Sequence, residues 1–261
     1  MVRSGSASAR LLQVASLAFV VIPGSAQAQR KAPPVVAGLD LHLGPLAGQD
    51  TVVFKRVLTR SGQDSSAGTR AVVLRVVDGS GPAPLLEVGQ RFPGGGGEIV
   101  DTALADLGTL GAVAHRSHQP ARTMRFRFTP AEAEGTVAVH GSAGDSVTQV
   151  HQALGGPIFD SNVIDLVVGA LPLRQGFTAE LPFFIYERGG RVPVRVAVRE
   201  RATVPFAQLG PREVWVVTVA VPGAPATMWV DTHSHAVLRV RYDIQDANLS
   251  FTDERVTPLR G

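Results

Sequence analysis

Residues 191–199 read RVPVRVAVR, residues 213–221 read EVWVVTVAV and residues 228–242 read MWVDTHSHAVLRVRY. In the first run Val192, Val194, Val196 and Val198 alternate with Arg191, Arg195 and Arg199. The second is nearly all apolar and contains Trp215. In the third, Met228 to Asp231 turns back into Val237 to Tyr242. A period of two gives a strand one dry face and one wet face. The links between these runs are too short for crossover helices, so the stretch predicts an antiparallel meander.

Working upstream, Phe177–Tyr186 reads as a strand, with Pro182 near an edge or bulge. Before it comes the one clear helix. Asp160 or Ser161 can cap it, and Val163, Ile164, Val167, Val168 and Leu171 form its apolar stripe. Pro172 ends it, because the residue before proline is pushed out of helical geometry. Further strands are predicted at 52–59, 70–78, 85–92 and 122–128. Residues 136–140 and 147–152 form a predicted hairpin, and 249–256 add a last strand. Residues 61–68 read as a polar turn, 99–110 as either strand or short helix, and His115 and His118 as loop residues. With about ten strands, the predicted fold is mainly β. It is a strongly curved antiparallel sheet, or half-open barrel, with one or two covering helices.

The chain has 261 residues, 44% of them hydrophobic and 18% charged, as expected of a globular protein. Residues 1–28 have the three parts of a secretory signal. Arg3 and Arg10 are the basic start, Leu11–Ile22 the apolar centre, and Ala26-Gln27-Ala28 the cleavage site. Residues 29–49, with Pro33-Pro34 and Gly44-Pro45, read as a linker. Residues 50–257 read as a single β-rich domain. The signal places the mature chain in the periplasm or outside the cell. The chain has no cysteine, so no disulfide forms and no lipid can attach beside the cleavage site. The expected product is soluble and not integral to the membrane. Loss of Arg3 and Arg10 lowers the formal net charge of +3 by two. The remaining arginines are scattered along strands, which argues against a nucleic-acid partner.

Catalytic motifs are weak throughout. Gly144-Asp145-Ser146 resembles the nucleophile block of GDSL-type esterases, but a Gly-Asp turn accounts for it. Gly94–Gly97 lacks the lysine of a phosphate-binding loop and reads as a hairpin tip. Asp160 and Asp165 read as a cap and an exposed helix residue. His233 and His235, with His115 and His118, are the weak metal candidates, since zinc takes three or four such ligands. No catalytic residue, cofactor or metal is expected. Arg191, Arg195, Arg199, Arg239 and Arg241 read as a solvated outer face, or else as a contact for anionic headgroups or an acidic partner.

Met228-Trp229-Val230-Asp231, a turn, and the strand through Asp243 together resemble the late hairpin of the LolA/LolB-type lipoprotein carriers. Phe159-Asp160, the helix, Leu171-Pro172-Leu173 and Gly176-Phe177 are similar to secreted bacterial proteins of unknown function that share this half-barrel. The resemblance implies a curved sheet that holds acyl chains in an apolar hollow. The function it suggests is that of a non-enzymatic envelope protein with a lipid or other hydrophobic ligand. Met124, Phe126, Phe128, Val163, Val167, Trp215 and Trp229 would line the hollow, and each also suits a solid core. The alternative is a structural or protein-interaction module with an envelope protein as partner and no small ligand. A metal-assisted hydrolase is the remote third.

Overall fold

A computed structural model of the chain describes residues 41–42, 50–78, 84–94, 96–142, 144–244 and 248–259. The expected signal, 1–28, and nearly all of the expected linker, 29–49, lie outside these residues. Every described residue falls in one unit, Pro34–Gly261.

The first half of the sheet is a run of hairpins: β1 (Asp50–Arg60), β2 (Gln63–Val77), β3 (Leu85–Gly94), β4 (Gly97–Asp106), β5 (Ala112–Gln119), β6 (Arg122–Phe128), β7 (Glu132–Gly141) and β8 (Gly144–Ala153). Turn chemistry sets the breaks. Ser61 and Gly62 both have positive φ, 50° and 78°, as a two-residue turn between strongly twisted strands requires. The second half is β9 (Phe159–Asp160), a 3-10 turn at Ser161–Val163, α1 (Ile164–Ala170) and β10 (Thr178–Ile185), then β11 (Gly190–Phe206), β12 (Gly210–Ala220), β13 (Ala226–Asp231), β14 (Val237–Ile244) and β15 (Leu249–Arg255).

All fifteen strands share one sheet, in the order β8 to β1 and then β15 down to β9. The two halves join where β1 pairs with β15, from Phe54↔Arg255 to Arg60↔Leu249. Every pairing is antiparallel except the short β9–β10 contact. Register shifts interrupt the ladders at Lys55/Val57, Leu104/Ala105, Val198/Glu200 and Trp229/Val230. Such bulges bend the strand that carries them, and here they help curl the sheet into an open half-barrel.

Only the step from β8 to β9 crosses from one end of the sheet to the other. The 3-10 turn and α1 follow, in the connection from β9 to β10, and lie over the concave face. Val163, Val167, Val168 and Leu171 are 0% exposed there, packed with Leu86, Val196, Val219, Met228 and Val240. Each such side chain contributes about 1.5–3 kcal/mol by burial. Gly169 lets the helix close on the β13–β14 turn, since a Cβ there would lie 2.5 Å from the His235 carbonyl oxygen. Asp160 caps the 3-10 turn by accepting from the Asn162 amide at 2.8 Å, and Leu171 leaves helical geometry ahead of Pro172.

Two local expectations are corrected and one open choice is settled. His115 and His118 belong to strand β5 and not to a loop. Residues 63–68 continue β2, so the turn is only Ser61-Gly62. Residues 97–106 resolve as strand. In β5 the core-facing positions include His115 and Ser117, and the first part of β2 is wet on both faces, so neither stretch shows apolar alternation. Among the described residues, no helix is long and apolar enough to cross a membrane.

Candidate functional site

The segment over the concave face is fastened by polar side chains as well as aliphatic ones. Asp160 Oδ2 accepts the Tyr186 hydroxyl at 2.7 Å and faces His115 Nδ1 at 3.0 Å. The His115 ring stacks on Tyr186 with centroids 4.2 Å apart. Two residues on, the Asn162 carbonyl accepts from Gln90 Nε2. Gln90 in turn accepts from Arg70 Nη1 at 3.3 Å, and Arg70 Nη2 reaches Asp165 Oδ2 on α1 at 2.6 Å. Arg70 Nε lies 3.0 Å from Asp253, and Arg56 grips the same carboxylate with two bonds of 2.7 and 2.8 Å. A buried polar seam thus runs across the concave face from β5 to β15. Asp160, Asn162 and Asp165 of the covering segment sit on the sheet's His115, Gln90 and Arg70.

Around Arg70 the charges pair off: Arg56 and Arg70 oppose Asp165 and Asp253. Removal from water alone would lower the pKa of Arg70, but the Asp165 and Asp253 carboxylates overcome it and hold the guanidinium above its ordinary value. Burial, and then the Asp165 charge, raise the Tyr242 hydroxyl. Tyr186 is held well above its ordinary value by burial and by Asp160. Asp101, on the strand next to His115, is also raised by burial, against a hydrogen bond from Ser117 and the nearby His115. Asp101 Oδ1, His115 Nε2 and Asn162 Nδ2 are buried and unpartnered. The His115–Asp160 pair resembles half of a catalytic triad, yet His115 is 2% exposed and its Nε2 meets no hydroxyl.

The residues expected to line a hollow fall into separate places. Met124, Phe126 and Phe128 pack with Leu154, Ile158 and Phe184 under Tyr186. Val163 and Val167 lie in the larger cluster beneath α1. Trp215 is opposite Val230 on the concave side, whereas Trp229 is opposite Val216 on the convex side, in the cluster of Phe206 and Leu238. Arg201 lies over the Trp215 ring and Arg239 over Trp229.

The histidines do not converge. His115 and His118 point to opposite faces of β5. His233 and His235 sit in the β13–β14 turn, where Asp231 accepts the His233 amide and His235 Nδ1 faces the Gly169 carbonyl at 3.3 Å. Among the described residues, one group of metal-ligand type lies close together: Glu132, Glu134 and His151, on the outer face of β7–β8. There the two ring nitrogens of His151 address different carboxylates, at 3.5 and 3.3 Å, as in a surface ion-pair cluster. Asp145 of the Gly-Asp-Ser stretch is opposite His140 at the β7–β8 hairpin and 2.9 Å from its ring. In the meander, Arg239 pairs with Glu254, Arg241 with Asp243, and Arg191 donates to the Leu154 carbonyl.

The sequence singles out His115, Asp160 and Asp165 separately but not the seam that joins them; Asp165, expected as an exposed helix residue, is instead held against the sheet by Arg70. Arg56, Arg70, Asp101 and Asp253 stand at alternate strand positions, where charge ordinarily signals the wet face. The one available clue was parity: Arg70 and Arg56 continue the series of Leu74, Val72 and of Val52, Phe54, which is dry.

Among solved structures, a β-barrel-like protein of the domain of unknown function DUF1849 from Brucella abortus is similar to this chain. It shows 12% identity and a TM-score of 0.41 over 80% of this chain and 96% of its own. A DUF1329 family protein from Desulfovibrio piger shows 9% identity and a TM-score of 0.33, over 86% of this chain and 92% of its own. No curated protein matches the chain. The sequence profile described as "Protein of unknown function (DUF3108)" matches residues 68–252, from β2 into β15, and the chain therefore belongs to the DUF3108 family.

Proposed function

We propose that this chain is an exported, non-enzymatic protein of the cell envelope that binds an extended segment of a protein partner along the open edge of its sheet. The observation behind this is the contrast between the two edges. At one, β9 and β10 are tucked against the concave side of β5 and β6, where Phe184 and Tyr186 meet Phe126. At the other, β8 has β7 on one side and no strand on the other among the described residues.

Exposed edges invite pairing, and proteins usually blunt them with lysine, proline, bulges or shortness. β8 uses none of these. It runs ten residues, GDSVTQVHQA, in unbroken register with β7, and Val147 on it is 62% exposed. An added strand would gain main-chain hydrogen bonds along the edge, and its alternate side chains would set the choice of partner. Export rests on the basic, apolar and small-residue parts of residues 1–28.

A carrier of acyl chains in the LolA/LolB manner is favoured by the apolar concave face. It requires the covering segment to leave that face. A void wide enough for water would leave accessible surface on its lining, and Val163, Val167, Leu181, Val196, Val219 and Met228 have none. Freeing Val163, Ile164, Val167, Val168, Ala170 and Leu171 would cost on the order of 10 kcal/mol, which is comparable to the stability of a whole domain.

Site-specific photocrosslinkers at Thr148 and Gln149 test the edge in cells. The expected result is capture of one envelope protein from these positions, none from Arg75 or Glu87 on the outer face of β2–β3, and loss of capture in Val147→Lys. Equal capture from both regions, or none from β8, contradicts the proposal.

A further inference from the structure

The convex face of β5 and β6 carries a second feature, which the edge does not explain. Arg116 and Arg125 are directly opposite each other across the two strands, and Arg127 follows Arg125 on the same face. Like charges directly opposite in a sheet are destabilising. The cost is not relieved within the protein. None of the three side chains makes a hydrogen bond, ion pair or ring contact with any residue the structure describes. Of the other sheet arginines, Arg56 pairs with Asp253, Arg75 with Glu87, Arg91 with Glu98, Arg122 with Glu187, Arg201 with Glu213 and Arg239 with Glu254. Arg60 and Arg195 have no such partner, but they stand opposite Leu249 and Gln63, and Glu180 and Ala220, not opposite another arginine.

The three arginines border an open groove of about 530 Å³, together with Thr136 and Gln149. Thr136 is opposite Arg125, and Gln149 is opposite Thr136, so neutral donors extend the row that begins at Arg116. At one end stand Glu134 and His151. Glu134 is opposite Arg127 in the ladder, and its carboxylate lies 3.3 Å from His151 and forms no ion pair with Arg127. That acidic end fixes the polarity of the groove, since an anion seats toward Arg116 and Arg125.

We propose that this groove is a binding site for a phosphate ester carrying at least two negative charges. The guanidinium forks of Arg116 and Arg125 would straddle one phosphate, and Arg127 would meet a second charged group. Arginine is suited to the task because its planar fork matches phosphate oxygens two at a time. The groove is larger than a bare phosphate ion needs, which points to a phosphorylated small molecule or a lipid headgroup.

The test is calorimetric titration of the folded chain with pyrophosphate at low salt, with sedimentation on vesicles containing cardiolipin, whose headgroup carries two phosphates, alongside. Arg116→Gln and Arg125→Gln should each weaken pyrophosphate binding at least tenfold, and Arg127→Gln less. Arg195→Gln, an exposed arginine on β11, should leave it unchanged. Thermal melts matching the unmodified chain verify that these surface variants fold. Saturable pyrophosphate binding without vesicle binding assigns the site to a soluble phosphate compound. Vesicle binding that pyrophosphate competes away, and that Arg116→Gln loses, assigns it to a headgroup. No saturable binding of either probe overturns the proposal. So does equal weakening by Arg195→Gln, or vesicle binding that pyrophosphate leaves intact.

Discussion

Asp101 shows how a single buried carboxyl couples the seam to pH. Burial raises its pKa above the ordinary aspartate range, so the folded state holds the proton more tightly than the unfolded chain does. Its contribution to stability is complete below the unfolded pKa and is lost as pH rises through the folded one. At neutral pH burying this carboxyl is a net cost to folding. Asp101→Asn is therefore expected to raise the urea midpoint at pH 7, by on the order of 1 kcal/mol, with the two proteins converging in acid. A variant less stable than the parent at pH 7 would show that the charge is needed. Arg70 has the opposite role. Asp165 and Asp253 both depend on it, so Arg70→Met leaves uncompensated buried charge and should cost about 3–5 kcal/mol by urea denaturation. Arg70→Lys should not restore the loss, because one ammonium cannot serve Gln90, Asp165 and Asp253 with fork geometry. An unaltered midpoint in Arg70→Met would remove the seam as a fastening. None of these residues was legible as buried in the sequence. A charged residue inside a strand reads as outward-facing until its partner is known, and these partners lie from 20 to 197 positions away.

Where an element has one dry face, the sequence shows it. The valines of β11, the stripe of α1 and the alternation of Met124, Phe126 and Phe128 each mark the buried face. β12 is nearly all apolar because both its faces are covered, Val217 and Val219 in the concave core and Val214 and Val216 in the convex cluster. β5 and the outer part of β2 did not declare themselves, because two wet faces or a polar core face erase the pattern. The covering segment raises a sharper question, whether it is a lid or part of the core. Its aliphatic burial makes it core. Leu171→Ala is expected to cost about 2–5 kcal/mol and to lower the unit in a single transition, seen by both far-ultraviolet and tryptophan signals. Hydrogen exchange that opens residues 154–177 alone, with the sheet still protected, would make the segment a lid.

For the whole molecule, the pattern foretold a curved antiparallel sheet but not how its halves meet. β1 and β15 pair across nearly the full domain, and no local signal encodes a contact of that separation. The resemblance to half-barrel carriers suggested a hollow because the same apolar faces serve either to line a cavity or to fill one. Filling is decided by side chains that arrive from elsewhere in the chain, here Val163 to Leu171. The concave face is filled by the protein's own side chains, so the proposed ligand and partner are met on the outside. Native mass spectrometry of the exported chain, purified without detergent and run beside an organic extract, tests that most directly. The account predicts a mass equal to the polypeptide from Gln29 onward, with no lipid in the extract. A stoichiometric excess that extracts as lipid, and that persists when Arg116 and Arg125 are both changed to glutamine so that the convex groove cannot hold a headgroup, would contradict it and restore the carrier.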